Sequence, residues 1–347
     1  MNETLYRKYR PKTFDDVVGQ EDVVLSLTQA ITKQNISHSY IFAGGRGTGK
    51  TSIARILAKA LGTSSNDLYE IDAASNRGID DIREIRDAVA TLPYESSYKI
   101  YIIDEAHMLT KEAWNALLKT LEEPPAHVLF IFATTEVEKI PETILSRSQA
   151  FTFKKPTTTI LEKVILQTAK QEGFELEAEG VSLLALLADG SFRDAHNVLQ
   201  KVISMSNNKK ITLEVVESVG GVPKKQKINT LLQSIVTKDV SNIVQTIQEL
   251  RRDNAEPKVL GSLLIEQLRL VLLLRIDKTL ETKLQNEASK EQFEFLKSLE
   301  LEKSTLSSET LLMFLKTCSG IERSSDPFVL LELALLNLIG KGSNPFL

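Results

Sequence analysis

The segment Gly44-Gly45-Arg46-Gly47-Thr48-Gly49-Lys50-Thr51 constrains this chain more than any other. It fits G-x-x-x-x-G-K-[ST], a pattern whose glycines let the backbone wrap an anion. The helix that follows then turns its positive N-terminal end toward that anion. The pattern carries this meaning only between a strand and a helix. Here residues 39–43 form a short apolar run, and residues 52–61 place apolar side chains at helical spacing. The context predicts a phosphate site, with Lys50 on the β- and γ-phosphates and Thr51 on a magnesium ion. Gly44, Gly45, Arg46, Gly47, Thr48, Gly49 and Ser52 complete the expected cradle.

A second segment supplies carboxylates. Residues 99–103 are apolar after Lys99 and deliver Asp104 and Glu105 at the C-terminal end of a predicted strand, where open α/β sheets place their ligands. Adjacent acids alone say little, but after such a strand they fit hydrolysis of a nucleotide. Asp104 would hold the magnesium shell, and Glu105 would orient or deprotonate the attacking water. ATP and Mg2+ are therefore the expected cofactors. His107 completes the string Asp-Glu-Ala-His, found also in one class of helicases, yet nothing else in the chain supports that reading. It reads as a polar residue in the turn after the strand. His38, His127 and His196 are isolated and read as structural or surface residues.

The rest of the chain divides near residue 155. Before it, apolar runs at 39–43, 68–73, 99–103, 128–133 and 150–153 alternate with helical patterns, and the middle runs lack polar alternation, as strands buried on both faces should. That order predicts a parallel sheet with flanking helices. After residue 155 no strand is expected; apolar residues recur at helical spacing over 160–171, 181–188 and 195–205. Gly220, Gly221 and Pro223 mark a second boundary, followed by expected helices at 228–252, 257–278, 291–299, 310–323 and 327–339. Three domains are expected: 1–155, α/β; 156–222, small and helical; 223–347, all-α.

Composition closes off other classes. A single cysteine, Cys318, excludes a disulfide framework or a cysteine-ligated zinc site within the chain, and its apolar neighbours make it a core thiol. The net charge of −4 argues against a general nucleic-acid coat, though not against a local basic strip. The first residues lack an apolar signal core, and the most apolar run, 268–276, is too short for a bilayer and contains Arg269. No membrane association and a cytoplasmic location are expected.

Further motifs narrow the field. They are Arg7-Lys8-Tyr9-Arg10-Pro11, Val17-Val18-Gly19-Gln20, Asp72-Ala73-Ala74-Ser75, the string from Asn115 to Glu122-Glu123-Pro124-Pro125, Ser146-Arg147 and Gly190-Ser191-Phe192-Arg193-Asp194-Ala195. Together with the phosphate loop they resemble the gamma/tau subunits of bacterial DNA polymerase III, the AAA+ ATPases of its clamp loader. The similarity runs from Leu5 to about Gln200 and more loosely beyond. It implies a P-loop AAA+ domain, a helical lid and an all-α collar, and a motor that loads the sliding clamp onto primed DNA. Implied partners are other clamp-loader subunits in a pentameric hetero-oligomer, the sliding clamp and primer–template DNA.

The resemblance also assigns residues. Arg147 matches the arginine finger that acts on ATP of the neighbouring subunit. Thr135, with Thr134 as alternate, matches the sensor of the γ-phosphate, and Arg193 the arginine that reaches ATP within the same chain. Arg10, Pro11, Val17 and Val18 match the adenine pocket. Ser75 and Arg77 match the part facing duplex backbone, with Arg83, Lys119 and Lys139 as further DNA candidates. Two departures stand out. The family's four-cysteine zinc module is replaced by a short linker around Gly62-Thr63-Ser64-Ser65-Asn66, so no zinc is expected, and Ser148 stands where relatives carry cysteine. The end at Leu347 matches the shorter gamma form. Alternatives are a structural loader subunit that does not hydrolyse ATP, or another replication or recombination AAA+ protein such as a branch-migration motor.

Overall fold

A computed structural model of the protein describes residues 3–206, 208–276, 281, 290–300, 306–321 and 324–340. The chain divides into two compact units, Met1–Thr212 and Leu213–Leu347.

The first unit is built on five parallel strands, β1 (Ser39–Gly44), β2 (Leu68–Asp72), β3 (Lys99–Asp104), β4 (Val128–Thr134) and β5 (Gln149–Phe153), in the order β2-β3-β4-β1-β5. All five expected strands form, shifted by a residue or so at their ends. Successive side chains leave a strand on opposite faces, so the apolar runs of β1, β3 and β4 each serve two cores. Tyr40, Phe42, Ile100, Ile102, Leu129 and Ile131 face α2 (Glu21–Thr32) and α3 (Lys50–Ala60). Ile41, Ala43, Tyr101, Ile103, Phe130 and Phe132 face α4 (Ile79–Val89) and α5 (Lys111–Glu122). Register aligns Tyr40 with Ile131 and Ile102 with Ile131, which brings the C-terminal ends of β1, β3 and β4 to one edge. Lys99 is buried at the opposite end of β3, where its Nζ donates to Ala88 O at 2.7 Å and Thr91 Oγ1 at 2.8 Å. The ammonium thereby satisfies a carbonyl that the end of α4 leaves without an intrahelical partner.

A short α1 (Leu5–Lys8) leads the chain, and α6 (Glu142–Leu145) precedes β5. Helices α7 (Thr158–Gln171), α8 (Ala178–Leu187) and α9 (Phe192–Met205) follow the sheet. Thr157 and Ser191 start α7 and α9 by accepting Ile160 N at 3.3 Å and Asp194 N at 3.1 Å, as N-cap hydroxyls do. Leu5 N donates to Gln200 Oε1 at 2.8 Å, fixing α1 on α9. The expectation of no strand after residue 155 is corrected: β6 (Glu175–Leu176) and β7 (Lys210–Ile211) pair in parallel. Segments this short show no period, and their partners lie far apart in sequence.

The linker before β2 is tied down by Asp67, which is fully buried. Its carboxylate accepts Tyr94 N, Glu95 N and Ser96 N at 2.5, 3.0 and 2.8 Å, while Ser64 N donates to Ser96 Oγ at 2.8 Å. Burial by itself would raise this carboxyl. The Glu95, Tyr94 and Ser96 donors outweigh it and hold Asp67 far below the usual carboxylate range.

The second unit is helical: α10 (Leu213–Gly220), α11 (Lys225–Thr237), α12 (Val240–Arg252), α13 (Pro257–Ile276), α14 (Lys290–Glu300), α15 (Ser308–Ile321) and α16 (Pro327–Gly340). The continuous helix expected at 228–252 is two helices. Lys238 adopts φ 57° and Asp239 caps α12 through Asn242 N at 3.0 Å. No glycine or proline marks this break, and the apolar phase continues across it, so periodicity concealed it. The expected helix ends at 277–278 and 322–323 lie outside the described residues. Leu260, Leu264, Leu268 and Val271 place α13 at the centre of the core, and half-buried Cys318 packs against that core. Burial pushes its thiol up, as for a core thiol. Among the described residues no helix is long and apolar enough to cross a membrane.

Candidate nucleotide-binding site

The phosphate loop joins β1 to α3 along the edge where the strands end. Gly44 has φ 154°, and a Cβ there would sit 2.5 Å from Phe153 O on β5. Gly47, at φ 71°, is held against the start of α9: a Cβ would lie 2.0 Å from Ser191 Oγ, and Phe192 N donates to Gly47 O at 3.0 Å. Only glycine satisfies both demands without strain. The loop is thus docked on the helix that carries Arg193.

Lys50, Thr51, Asp104 and Glu105 converge as expected from sequence. Lys50 Nζ donates to Gly44 O and Gly45 O, both at 2.8 Å, and is buried. Burial lowers its ionisation, which Glu105 and Asp104 oppose. Thr51 Oγ1 donates to Asp104 Oδ2 at 2.8 Å, and Asp104 Oδ1 accepts Glu105 N at 3.0 Å. Among the described residues no group of three or more His, Cys, Asp or Glu side chains would hold a metal by itself. The donors present, one carboxylate and one hydroxyl, fit magnesium, which keeps most of its shell from water and substrate phosphates. Thr51 and Asp104 are the residues that would hold it.

Glu105 adopts φ 50°, a left-handed conformation that a non-glycine residue takes at a cost. Thr135 Oγ1 donates to Glu105 Oε2 at 3.4 Å from the end of β4, which lies between β1 and β3. His107 is more than a turn residue. Its side chain is 8% exposed, its Nδ1 lies 3.1 Å from Thr134 Oγ1 and 3.6 Å from Glu105, and its Nε2 lies 3.2 Å from Glu136. The imidazole thereby bridges the ends of the two strands beside the candidate base.

A cleft of about 560 Å3 runs from this edge to the helices. Its lining includes Arg10, Pro11, Val17, Val18, Arg46, Gly47, Thr48, Gly49, Lys50, Thr51, Ser52, Asp104, Glu105 and Arg193. Gly44, Gly45 and Thr135 are not among the residues that line it. Sequence reasoning missed a wall formed by Tyr9, Gln20, Thr168 and His196. Buried Gln20 ties the segment before α2 to the loop and to β5, donating to Thr48 O at 3.3 Å and Lys154 O at 2.8 Å. His196 stacks on Tyr9, with ring centroids 6.1 Å apart, and its Nε2 meets Thr168 Oγ1 at 3.2 Å. Burial pushes this imidazole down, against the pull of Phe192 O. Its position three residues after Arg193, on the same helix face, was the available signal.

Other sequence candidates lie elsewhere. Arg147 does not line the cleft of its own chain; its guanidinium donates to Glu122 at 2.9 Å and to Thr143 O at 2.8 Å. Ser75 and Arg77 are exposed on the loop before α4, whose Arg77 O accepts Thr110 N at 3.2 Å. Lys119 is exposed in the last turn of α5, and Lys139 pairs with Glu136 at 2.8 Å. Arg83 pairs with Asp80 at 3.1 Å on α4.

Comparison with known proteins agrees with this geometry. Residues 62–157 match the family "DNA polymerase III, delta subunit", and residues 211–345 match "DNA polymerase III subunits gamma and tau domain III". DNA polymerase III subunit gamma of Buchnera aphidicola is 39% identical over 69% of this chain and 70% of its own length. The chain belongs to the gamma/tau family of DNA polymerase III subunits. Subunit tau of Bacillus subtilis is 41% identical over 80% of this chain and 53% of its own length; this family member spans about half of that relative. Subunit gamma/tau of Mycoplasma pneumoniae is 45% identical over 62% of this chain and 35% of its own length. Among solved structures, the RuvB Holliday junction branch migration motor of Thermotoga maritima matches with a TM-score of 0.53 and 21% identity, covering 66% of this chain and 79% of its own. That likeness shows the AAA+ fold of the gamma/tau member described here.

Proposed function

We propose that this chain is a magnesium-dependent ATPase and the motor of a DNA polymerase III clamp loader, driving the sliding clamp onto primed DNA in bacterial replication. The observation that carries this reading is the convergence of Lys50, Thr51, Asp104, Glu105 and Arg193 on one cleft while Arg147 pairs with Glu122 outside it. A neighbouring subunit's Arg147 would add a positive charge beside the transferring phosphoryl group.

Each residue has a physical task. Lys50 would exchange its bonds to Gly44 O and Gly45 O for phosphate oxygens. Magnesium, when bound with the nucleotide, neutralises phosphate charge. Glu105 would accept the proton of the attacking water, with Thr135 and His107 fixing its carboxylate. Arg147 from the neighbour would stabilise charge in the transition state, an effect on the order of 10³–10⁵ in rate. Arg193, on a helix bonded to the loop through Phe192 N, would couple nucleotide state to a lid spanning 156–222. Residues 223–347 would form the oligomerisation collar of a pentameric ring. Ser75, Arg77, Lys119 and Lys139 would meet backbone phosphates of primer–template DNA, where positioning needs no base readout.

The test is steady-state ATP hydrolysis by the reconstituted loader, with and without clamp and primed DNA. Glu105→Gln and Arg147→Ala are expected to bind ATP but to lose about 10²–10⁴ and about 10³–10⁵ in kcat, respectively. A mixture of the two variants should regain part of the activity, because some interfaces then pair an intact Glu105 with an intact Arg147. No recovery on mixing would sink the shared-site mechanism. Hydrolysis indifferent to clamp and DNA would point to another AAA+ motor, and none at all to a structural subunit.

A further inference from the structure

A second cavity, of about 730 Å3, adjoins the nucleotide cleft and gathers Arg7, Arg10, Arg46, Arg55 and Arg193 around Tyr6. Tyr6, Arg10, Arg46 and Arg193 also line the nucleotide cleft, whereas Arg7 and Arg55 line the second cavity alone. Lys50, Thr51, Asp104 and Glu105 belong to the cleft alone. The shared residues therefore form a wall with one face toward each space.

Compensation for this charge is incomplete. Among the residues lining the cavity the one acid is Glu3, and Glu70 pairs with Arg55 at 2.5 Å. Arg7 and Arg193 stand over the same Tyr6 ring, 5.7 and 5.9 Å from its centroid. Arg55 Nε is buried and finds no acceptor. Arg10, Arg55 and Arg193 line the same cavity, and Arg10 is depressed by its burial and then by the like charges of the other two, against the opposing pull of Glu70. An ordinary solvated face spreads its arginines outward. Here they converge against mutual repulsion, an arrangement that an anion in the cavity relieves. Planar guanidinium forks suit phosphate oxygens in paired bonds, and Arg7 and Arg55, which line this cavity and not the cleft, supply forks from two separate helices that fit two linked phosphate groups.

We propose that this cavity is a second anion site, taking a diphosphate group while the phosphate loop holds its own nucleotide. The diphosphate is either free pyrophosphate or the arm of a second nucleotide. Calorimetry on the full chain tests this, with the cleft first saturated by a non-hydrolysable ATP analogue and magnesium held constant. Inorganic pyrophosphate should then bind with one equivalent. Arg7→Ala and Arg55→Ala should each weaken that binding about tenfold or more and leave the analogue's affinity unchanged. Arg7 is exposed, so its variant keeps the test decisive should Arg55→Ala misfold. ADP titrated in place of pyrophosphate separates the sources: a second equivalent tighter than pyrophosphate, and sensitive to the same variants, assigns the site to a nucleotide. Pyrophosphate binding only when the analogue is absent, or unchanged in both variants, overturns the proposal, as does binding of an oligonucleotide alone. Failure of the analogue itself to bind would instead refute the reading of the neighbouring cleft, since the two variants still report on pyrophosphate.

Discussion

Replacing Gly47 by alanine perturbs two things at once, and the structure separates them. The backbone sits at φ 71°, where a side chain costs about 1–2 kcal/mol. The new Cβ would also lie 2.0 Å from Ser191 Oγ and 3.0 Å from Ser191 Cβ, so the hydroxyl that caps α9 must leave its place. Loss of such a cap costs about 0.5–2 kcal/mol. Both terms weigh against the docked arrangement in which Phe192 N bonds Gly47 O and Arg193 faces the cleft. If ATP binds to that arrangement, the sum of about 1.5–4 kcal/mol weakens binding by a factor of about ten to several hundred.

A second substitution tests the division. Ser191→Gly removes the clashing atoms, and glycine is itself an acceptable cap, costing only a few tenths of a kcal/mol. Alone it should change ATP affinity less than about twofold. In the Gly47→Ala background it should restore about three- to thirtyfold of the loss, leaving the backbone term. The assay is equilibrium binding of a fluorescent ATP analogue to the four chains, with thermal melts to confirm folding. Gly47→Ala with wild-type affinity would show that docking of α9 on the loop is irrelevant to binding. A double variant no tighter than Gly47→Ala would show that Ser191 is not the obstacle.

Two further outcomes concern stability. The Asp67 carboxyl is held well below its unfolded value of about 3.9, so its contribution is fully present above that pH and is lost as pH falls toward the folded value. Asp67→Asn should therefore lower stability at pH 7, and its acid unfolding limb below about pH 4 should be shallower than that of the wild type; coincident limbs would refute the assignment. On α13, a Cβ at Gly261 would meet Cys318 Sγ at 2.4 Å, so Gly261→Ala should destabilise the second unit by about 1–3 kcal/mol in chemical denaturation. In a Cys318→Ala background the same change should become neutral or stabilising by up to about 1 kcal/mol, because alanine favours helix once the sulfur is gone.

What the sequence disclosed and what it withheld follow from how tightly each position restricts residue type. A loop with left-handed backbone at Gly47 and Gly49 needs glycine there, and acids that end a strand buried on both faces declare themselves, so the cradle and the Asp104-Glu105 pair were legible. The central strands β1, β3 and β4 were legible because both of their faces are covered, and the edge strands β2 and β5, half exposed, were legible from their place in the alternation with helices. The Lys238 turn and the β6–β7 pair were not, since neither alters the apolar period around it. The wall of Tyr9, Gln20 and His196 stayed hidden for a different reason. Its members come from three separated segments, and many polar side chains of similar reach could serve. The five-arginine cavity carries this furthest: Arg46 reads as part of the phosphate cradle and Arg7 and Arg55 singly as ordinary charges, and only their convergence across α1, the phosphate loop and α3 gives the charge a ligand to find.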